Sequence, residues 1–290
     1  MEYEGMMWRP PSEAESFILQ VTVGCANNTC TFCTMYHDVN FRVRSPEEIF
    51  ADIDEVANSS YGSYYGRVFL ASGDALVMPT EQLLAVLHKI YVRFPNVSRV
   101  SAYATAKDIV RKTPEELSAL REAGLKMVYM GVESGSDTIL RYINKRVTAQ
   151  DIIEASAKLK QSGIKNSVTL ISGLGGKARW EEHALSSARI ISVIKPEFCS
   201  FLALQIFPET PLYDEIKNGS FQPISDEEII DEMLLFLENV DSDGTVFRSN
   251  HVSNIVPLRG TFNRDIPVLC KALKTAKAKK DYGAFSAPVL

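Results

Sequence analysis

No stretch of about 18 consecutive apolar residues occurs in the 290-residue chain, so no segment is expected to cross a bilayer as a helix. Basic charge is not in excess either: 31 Lys and Arg stand against 36 Asp and Glu, a net charge of −5. That balance leaves no electrostatic footprint for nucleic acid or an anionic membrane. The start, MEYEGMMWRPPSEAESF, lacks a basic segment followed by an apolar one, so no signal peptide is expected. No linker rich in Pro, Gly or Ser divides the chain, which therefore reads as one domain with an extension. Cysteine is scarce, at five residues. Two of these are isolated and no disulfide pattern emerges, which makes a reducing cytoplasm the expected compartment. The remainder, 46% hydrophobic and 23% charged, is ordinary globular composition. A length near about 250 residues also suits a single α/β barrel.

What is present is concentrated in one place. Cys25, Cys30 and Cys33 fall within nine residues, spaced C-x4-C-x2-C, directly after the apolar run Phe17–Val23, which reads as a strand. Thiolates this close on a glycine-led loop converge on one metal centre more readily than they form a disulfide. Three soft sulfur ligands suit an iron–sulfur cluster or zinc. An odd ligand count leaves one coordination position open, as catalytic sites do. Two specific readings stay open at this level. C-x4-C-x2-C is the spacing of plant-type [2Fe–2S] electron carriers, with Cys199 or Cys270 as the distant fourth ligand. A zinc-stapled structural domain would take His37 as its fourth.

The rest of the chain alternates strands and helices. Ser45-Pro46-Glu47-Glu48 and Thr113-Pro114-Glu115-Glu116 read as helix starts with capping boxes, and Thr148 and Ser225 begin two more. Strands are expected at 67–72, 98–103, 126–132, 166–172 and 197–207, with helices between them, the longest at 80–93 and 178–194. Six strand–helix cycles at roughly 30-residue spacing are the signature of parallel βαβ units. Right-handed crossovers curl them into a partial (β/α)6 TIM-like barrel. A strap over residues 1–16 precedes the core at 17–212, and an extension with helices and one strand, near 245–249, covers 213–290. Polar residues alternate in otherwise apolar strands: Gln20, Thr22, Ser101, Tyr103, Tyr129, Glu133, Ser167 and Thr169. They suggest a lumen that is partly a site.

Taken in order, these features resemble the radical SAM superfamily. The resemblance covers residues 17–212 and rests on four motifs. They are the cysteine loop after the first strand, Ser72-Gly73-Asp74 after the second, Met130–Ser136 after the fourth and Gly173-Leu174-Gly175-Gly176 after the fifth. The branch it resembles most holds oxygen-independent coproporphyrinogen oxidase and the methylthiotransferases. Two departures stand out: one residue is added between the first two cysteines, and the usual Gly-Gly-Glu is Ser-Gly-Asp.

The resemblance implies that Cys25, Cys30 and Cys33 hold a [4Fe–4S] cluster whose fourth iron binds S-adenosylmethionine. Electron transfer from a flavodoxin- or ferredoxin-type donor would cleave that molecule to a 5′-deoxyadenosyl radical. Phe32 stands where the family places an aromatic beside the adenine. Ser72, Gly73 and Asp74 would take the methionine ammonium, Glu133 the ribose hydroxyls and Lys145 the methionine carboxylate. Ser172 and Gly173 would let backbone approach the adenine. No second cysteine cluster, cobalamin domain or large C-terminal domain is expected, so the substrate is a small molecule or a modest peptide. Arg248 and His251, in a segment expected to cover the open side of the barrel, are substrate candidates. Tyr103, Tyr129, Thr169 and Gln205 are the others.

Overall fold

The structure is a computed structural model and describes residues 1–282. These residues form two compact units. The first comprises Met1–Asn28, Met35–Met130 and Glu154–Asn166; the second comprises Thr29–Thr34, Gly131–Ile153 and Ser167 onward.

Up to Glu133 the elements are β1 (Phe17–Gln20), β2 (Thr22–Val23), β3 (Arg42–Val43), α1 (Pro46–Asn58), β4 (Arg67–Ala71), α2 (Thr80–Arg93), β5 (Arg99–Ala104), α3 (Ala106–Arg111), α4 (Pro114–Glu122) and β6 (Leu125–Glu133). β1, β4, β5 and β6 pair in parallel, as the strand–helix rhythm requires. The single expected strand at 17–23 is two pieces. Beyond Gln20, Val21 N still donates to Ala71 O and Ser72 N to Thr22 O, while Thr22–Val23 pair with β3, antiparallel. The capping boxes of α1 and α4 are formed on both sides. Leu19, Val68, Leu70 and Val100 are buried completely, as are Ile49, Ile53, Val86 and Leu87 on α1 and α2.

The polar strand residues of this unit have partners, and the strap supplies them. Gln20 donates to Glu4 O at 3.0 Å and accepts from Glu4 N at 2.9 Å. Glu13 is fully buried. Its Oε1 accepts from Arg99 at 2.6 Å, Ser101 at 2.9 Å and Tyr129 at 2.6 Å. A buried carboxylate needs this many donors to offset its lost hydration. Tyr103 packs edge-on against Phe69 and Tyr129. The expected polar lumen is therefore largely closed by residues 3–16 in this unit.

The chain continues through α5 (Asp137–Tyr142), α6 (Ala149–Ser162), β7 (Lys165–Ser172), α7 (Gly176–Ile194), β8 (Phe198–Ala203), α8 (Pro211–Asn218), α9 (Asp226–Asn239), β9 (Val246–Ser249), β10 (Leu258–Thr261) and α10 (Ile266–Lys279). β7 and β8 are parallel, β9 joins β8 in parallel, and β10 closes on β9 antiparallel. The extension thus continues the ladder: β9 lies where a strand near 245–249 is expected, and β10 adds one that is not. β8 ends at Ala203, not at 207, and Leu204 N donating to Ser172 O at 2.9 Å is the last bond of its ladder with β7. Gln205 accordingly lies beyond the strand. Phe201, Phe236, Phe247 and Phe262 form the aromatic core between this ladder and α9.

Candidate functional site

Cys25 follows Gly24, whose φ of +73° turns the chain out of β2. Gly73 N donates to Gly24 O at 3.1 Å, so the turn after β4 is stitched to the head of the cysteine loop. The approach is close: a Cβ on Gly73 would lie 2.8 Å from both Cys25 Cβ and a Tyr36 ring carbon. A side chain there would displace the cysteine. Asp74, next in this turn, is fully buried beside Asp108. Burial first, and the Asp108 carboxyl second, hold Asp74 well above the usual carboxylate range. Burial also works against the Asp108 charge, but hydrogen bonds with Asp74, Thr105 and Arg111 bring that group down. Of the two, Asp74 is the member whose protonated form is favoured and Asp108 the member whose charge is favoured.

Cys30 and Cys33 lie on the segment that belongs with the second unit. Thr31 N donates to Ile143 O and Leu212 N to Thr31 O, each at 3.0 Å, and Asn144 Nδ2 donates to Thr29 O at 3.1 Å. Phe32, between the two cysteines, packs against the apolar cluster of Ile139, Ile143 and Leu174. All three cysteines of the loop are half-buried and none is in a disulfide. No group of three His, Cys, Asp or Glu side chains is gathered at metal-ligating distance among the described residues. Donor chemistry fits a cluster: three cysteine thiols within nine residues, none in a disulfide, are ligands soft enough for iron.

Glu133 ends β6 at a φ of +61°, a left-handed conformation that costs a non-glycine residue energy. Its Oε1 accepts from Lys145 Nζ at 2.6 Å. The two residues expected to hold separate parts of one ligand are thus joined directly. The pair sits over Gly131, where a Cβ would lie 2.3 Å from Glu133 Oε1 and 3.0 Å from Lys145 Nζ. Just beyond, Ser134 Oγ lies 2.8 Å from His183 Nδ1 and accepts from Ser136 N at 3.1 Å. His183 Nε2 is 3.0 Å from Ile171 O. A carbonyl only accepts, so Nε2 carries the proton and Nδ1 accepts from Ser134. Burial pushes His183 down to about 4, so the ring is neutral.

Gly173 has a φ of +92° and room for a Cβ, with nothing nearer than Leu204 Cβ at 3.5 Å. Its glycine answers to backbone conformation, not to close approach. Gly173 N donates to Glu232 Oε1 at 3.0 Å, a carboxyl from α9 that the sequence did not single out.

The substrate candidates part company. Tyr129 is engaged by the strap, donating to Glu13 and lying 2.9 Å from Ser12 Oγ. Thr169 pairs with Ser200, and Ser200 with Arg248, in one register row. The row faces away from α9, because the neighbouring Phe201 packs on Phe236 and Phe247. Arg259 stands opposite Arg248 across β9 and β10. Arg248 is exposed and turns one guanidinium nitrogen onto Phe247 O at 2.7 Å. His251 lies in the turn after β9, 2.8 Å from Ser253 Oγ and accepting from Ser253 N at 3.2 Å. Burial lowers its pKa. Cys199 and Cys270 are both buried, and burial pushes both thiols up, which suits small hydrophobes better than ligands. His37 is exposed.

A family model described as the radical SAM superfamily matches residues 19–188, more than half of the chain. Anaerobic magnesium-protoporphyrin IX monomethyl ester cyclase of Cereibacter sphaeroides is 22% identical over 66% of this chain and 30% of its own length. Heme chaperone HemW of Bacillus subtilis is 25% identical, covering 52% of this chain and 40% of that protein. A tRNA-2-methylthio-N(6)-dimethylallyladenosine synthase of Syntrophobacter fumaroxidans is 28% identical, covering 61% and 40%. The chain thus spans less than half the length of these curated relatives. Among solved structures, methylornithine synthase aligns with a TM-score of 0.56 at 14% identity, covering 89% of this chain and 68% of that one. Coproporphyrinogen III oxidase from Escherichia coli, described as a radical SAM enzyme, aligns at 0.59 and 16%, covering 77% and 52%. These likenesses show the fold, the partial α/β barrel expected from the sequence.

Proposed function

This chain belongs to the radical SAM superfamily, and on that premise we propose which of its residues do the work. It is a radical SAM enzyme, whose cofactors are a [4Fe–4S] cluster and S-adenosylmethionine, and it requires a reductant and a substrate. When bound, these cofactors supply a reductive cleavage that yields a 5′-deoxyadenosyl radical. Cys25, Cys30 and Cys33 hold the cluster. The observation that carries this assignment is three half-buried cysteines within nine residues, none of them in a disulfide, the first packed against Gly73. Ser72, Gly73 and Asp74 receive the methionyl end, and Phe32 with Ser172 and Gly173 flanks the adenine. Glu133 and Lys145, already paired, present a carboxylate and an ammonium to the ribose and the methionine carboxylate.

The substrate side is the row of Thr169, Ser200 and Arg248. Two arginines directly opposite across β9 and β10 repel each other, and an anionic substrate group between them relieves that repulsion. A small molecule or modest peptide bearing such a group, a flavodoxin- or ferredoxin-type donor and a cytoplasmic location complete the reading. No helix among the described residues is long and apolar enough to cross a membrane.

The test is anaerobic reconstitution followed by reduction in the presence of S-adenosylmethionine. About four irons per chain are expected if the cluster is [4Fe–4S], together with release of methionine and 5′-deoxyadenosine. Reconstituted iron without any 5′-deoxyadenosine would overturn the assignment.

A further inference from the structure

Two buried side-chain atoms lie beside the turn after β7 without a hydrogen-bond partner: Ser172 Oγ and Glu232 Oε2. They belong to one local arrangement. Glu232 is 1% exposed, its Oε1 accepts from Gly173 N at 3.0 Å, and the Ser172 side chain faces the same carboxyl. An ionised carboxylate in this place would be poorly satisfied. Its neighbour His183, with Nε2 4.0 Å from Oε1, is neutral and turned to the Ile171 carbonyl, so it offers no charge. The Oε2–Ser172 Oγ pair can share a proton in either direction while Oε1 keeps its bond from Gly173. Exposure of 1%, with no cation in reach among the described residues, favours the acid, whose O–H at Oε2 donates to Ser172 Oγ.

We propose that Glu232 is a positioning residue that holds the Ser172-Gly173 turn as a neutral carboxylic acid, clamping backbone with one oxygen and the serine hydroxyl with the other. Burial, which pushes Glu232 up to about 8, agrees with this protonation state near neutrality. The turn is the one assigned above to the adenine, so the inference rests on that reading for its consequence. Gly173 can adopt its φ of +92° freely and as freely leave it. What keeps it there is a carboxyl from α9, in the extension. The extension thus acts on the cofactor turn without touching the cofactor. The network continues through His183, whose two ring nitrogens join Ser134, after β6, to Ile171, one residue before Ser172.

The discriminating variant is Glu232→Gln, whose amide reproduces the acid: its oxygen accepts from Gly173 and its NH2 donates to Ser172. Titration calorimetry of reconstituted protein with S-adenosylmethionine, thermal melting and infrared spectroscopy are read together. Glu232→Gln is expected to bind within about twofold of the parent. Loss of a buried hydrogen-bonded clamp in Glu232→Ala is expected to weaken binding about 10-fold, the equivalent of about 1.4 kcal/mol. The infrared spectrum at pH 7 should contain a protonated-carboxyl band that Glu232→Gln removes. If Glu232→Gln binds as weakly as Glu232→Ala, or the band is missing, the neutral clamp is wrong. If Glu232→Ala melts lower but binds as the parent does, the residue is merely structural and the inference falls. A parent that folds and shows the band but does not bind S-adenosylmethionine sinks the cofactor reading instead. Should Glu232→Ala fail to fold, Ser172→Ala, which removes the acceptor of the acid proton, replaces it, with the same 10-fold loss expected.

Discussion

Lys145 Nζ and Glu133 Oε1 meet at 2.6 Å over the bare Cα of Gly131, so a glycine two residues upstream makes the ion pair geometrically possible. Both side chains are largely buried, at 14% and 11% exposure, so their attraction is less screened than that of a surface pair. Gly131→Ala should force the carboxylate aside, because its Cβ would fall 2.3 Å from Glu133 Oε1. Losing one charged hydrogen bond costs about 1.5–3 kcal/mol, so S-adenosylmethionine affinity should fall roughly 10- to 150-fold. Calorimetry on reconstituted protein decides it, and unchanged affinity would remove the pair from the site.

Single Ala variants of Cys25, Cys30 and Cys33 should each abolish the iron–sulfur absorption. Cys199→Ala and Cys270→Ala should retain it, since burial keeps both thiols protonated. Loss of iron in either of the latter would revive the electron-carrier reading.

Burial and the neighbouring Asp108 carboxyl favour the protonated form of Asp74. A methionine ammonium arriving beside it would favour the ionised form, so binding should release about one proton. The binding enthalpy measured in buffers of different ionisation enthalpy reports that proton. Asp74→Asn should bind with no such dependence, and a parent that also shows none would make Asp74 structural.

How much of the molecule is legible in its sequence varies with the reach of each interaction. Helix starts are legible because a capping box is contained in four residues: Ser45 with Glu48, Thr113 with Glu116 and Ser225 with Glu228 all form. α3 escapes notice although Thr105 caps it, because six residues carry too little periodicity. β10 escapes because Gly260 interrupts it. The cysteine motif is legible for the same local reason as the capping boxes. The Glu133–Lys145 pair and Glu232 are not. The pair depends on a turn that folds the chain back across 12 residues. Glu232 is, by sequence, one more acid in the run Asp226–Glu232, and only burial distinguishes it from its solvated neighbours.

His183 makes stability depend on pH. The folded ring is held down to about 4 by burial, below its value of 6.5 in the unfolded chain. Above about 6.5 neither state is protonated. As pH falls from there toward 4, only the unfolded state takes up the proton, and stability is lost. A difference of this size corresponds to about 3 kcal/mol. Melting curves between pH 7.5 and 4.5 should show a decline that His183→Gln reduces; an equal decline in the variant would assign it to other groups.

Arg248→Ala should keep the cluster and the slow cleavage of S-adenosylmethionine without substrate. It should lose the acceleration that a substrate brings. His251, engaged with Ser253, should behave as the parent when changed to Ala. A full substrate response in Arg248→Ala would take the arginine pair out of the pocket.

The strap bears on how the first unit is made. Glu13 waits for Arg99, Ser101 and Tyr129, which follow it by 86, 88 and 116 residues. Until β6 has been synthesised, a carboxylate destined for a fully buried place has no donors, and it stays in water. Its contacts are among the longest-range in the unit, and long-range contacts are the slow ones because loop-closure entropy must be met first. On that ground the parallel ladder is expected to assemble strand by strand with the strap outside, and the strap to lock the inner face last. That order keeps the inner face wet, and so adjustable, until the sheet beneath it is complete.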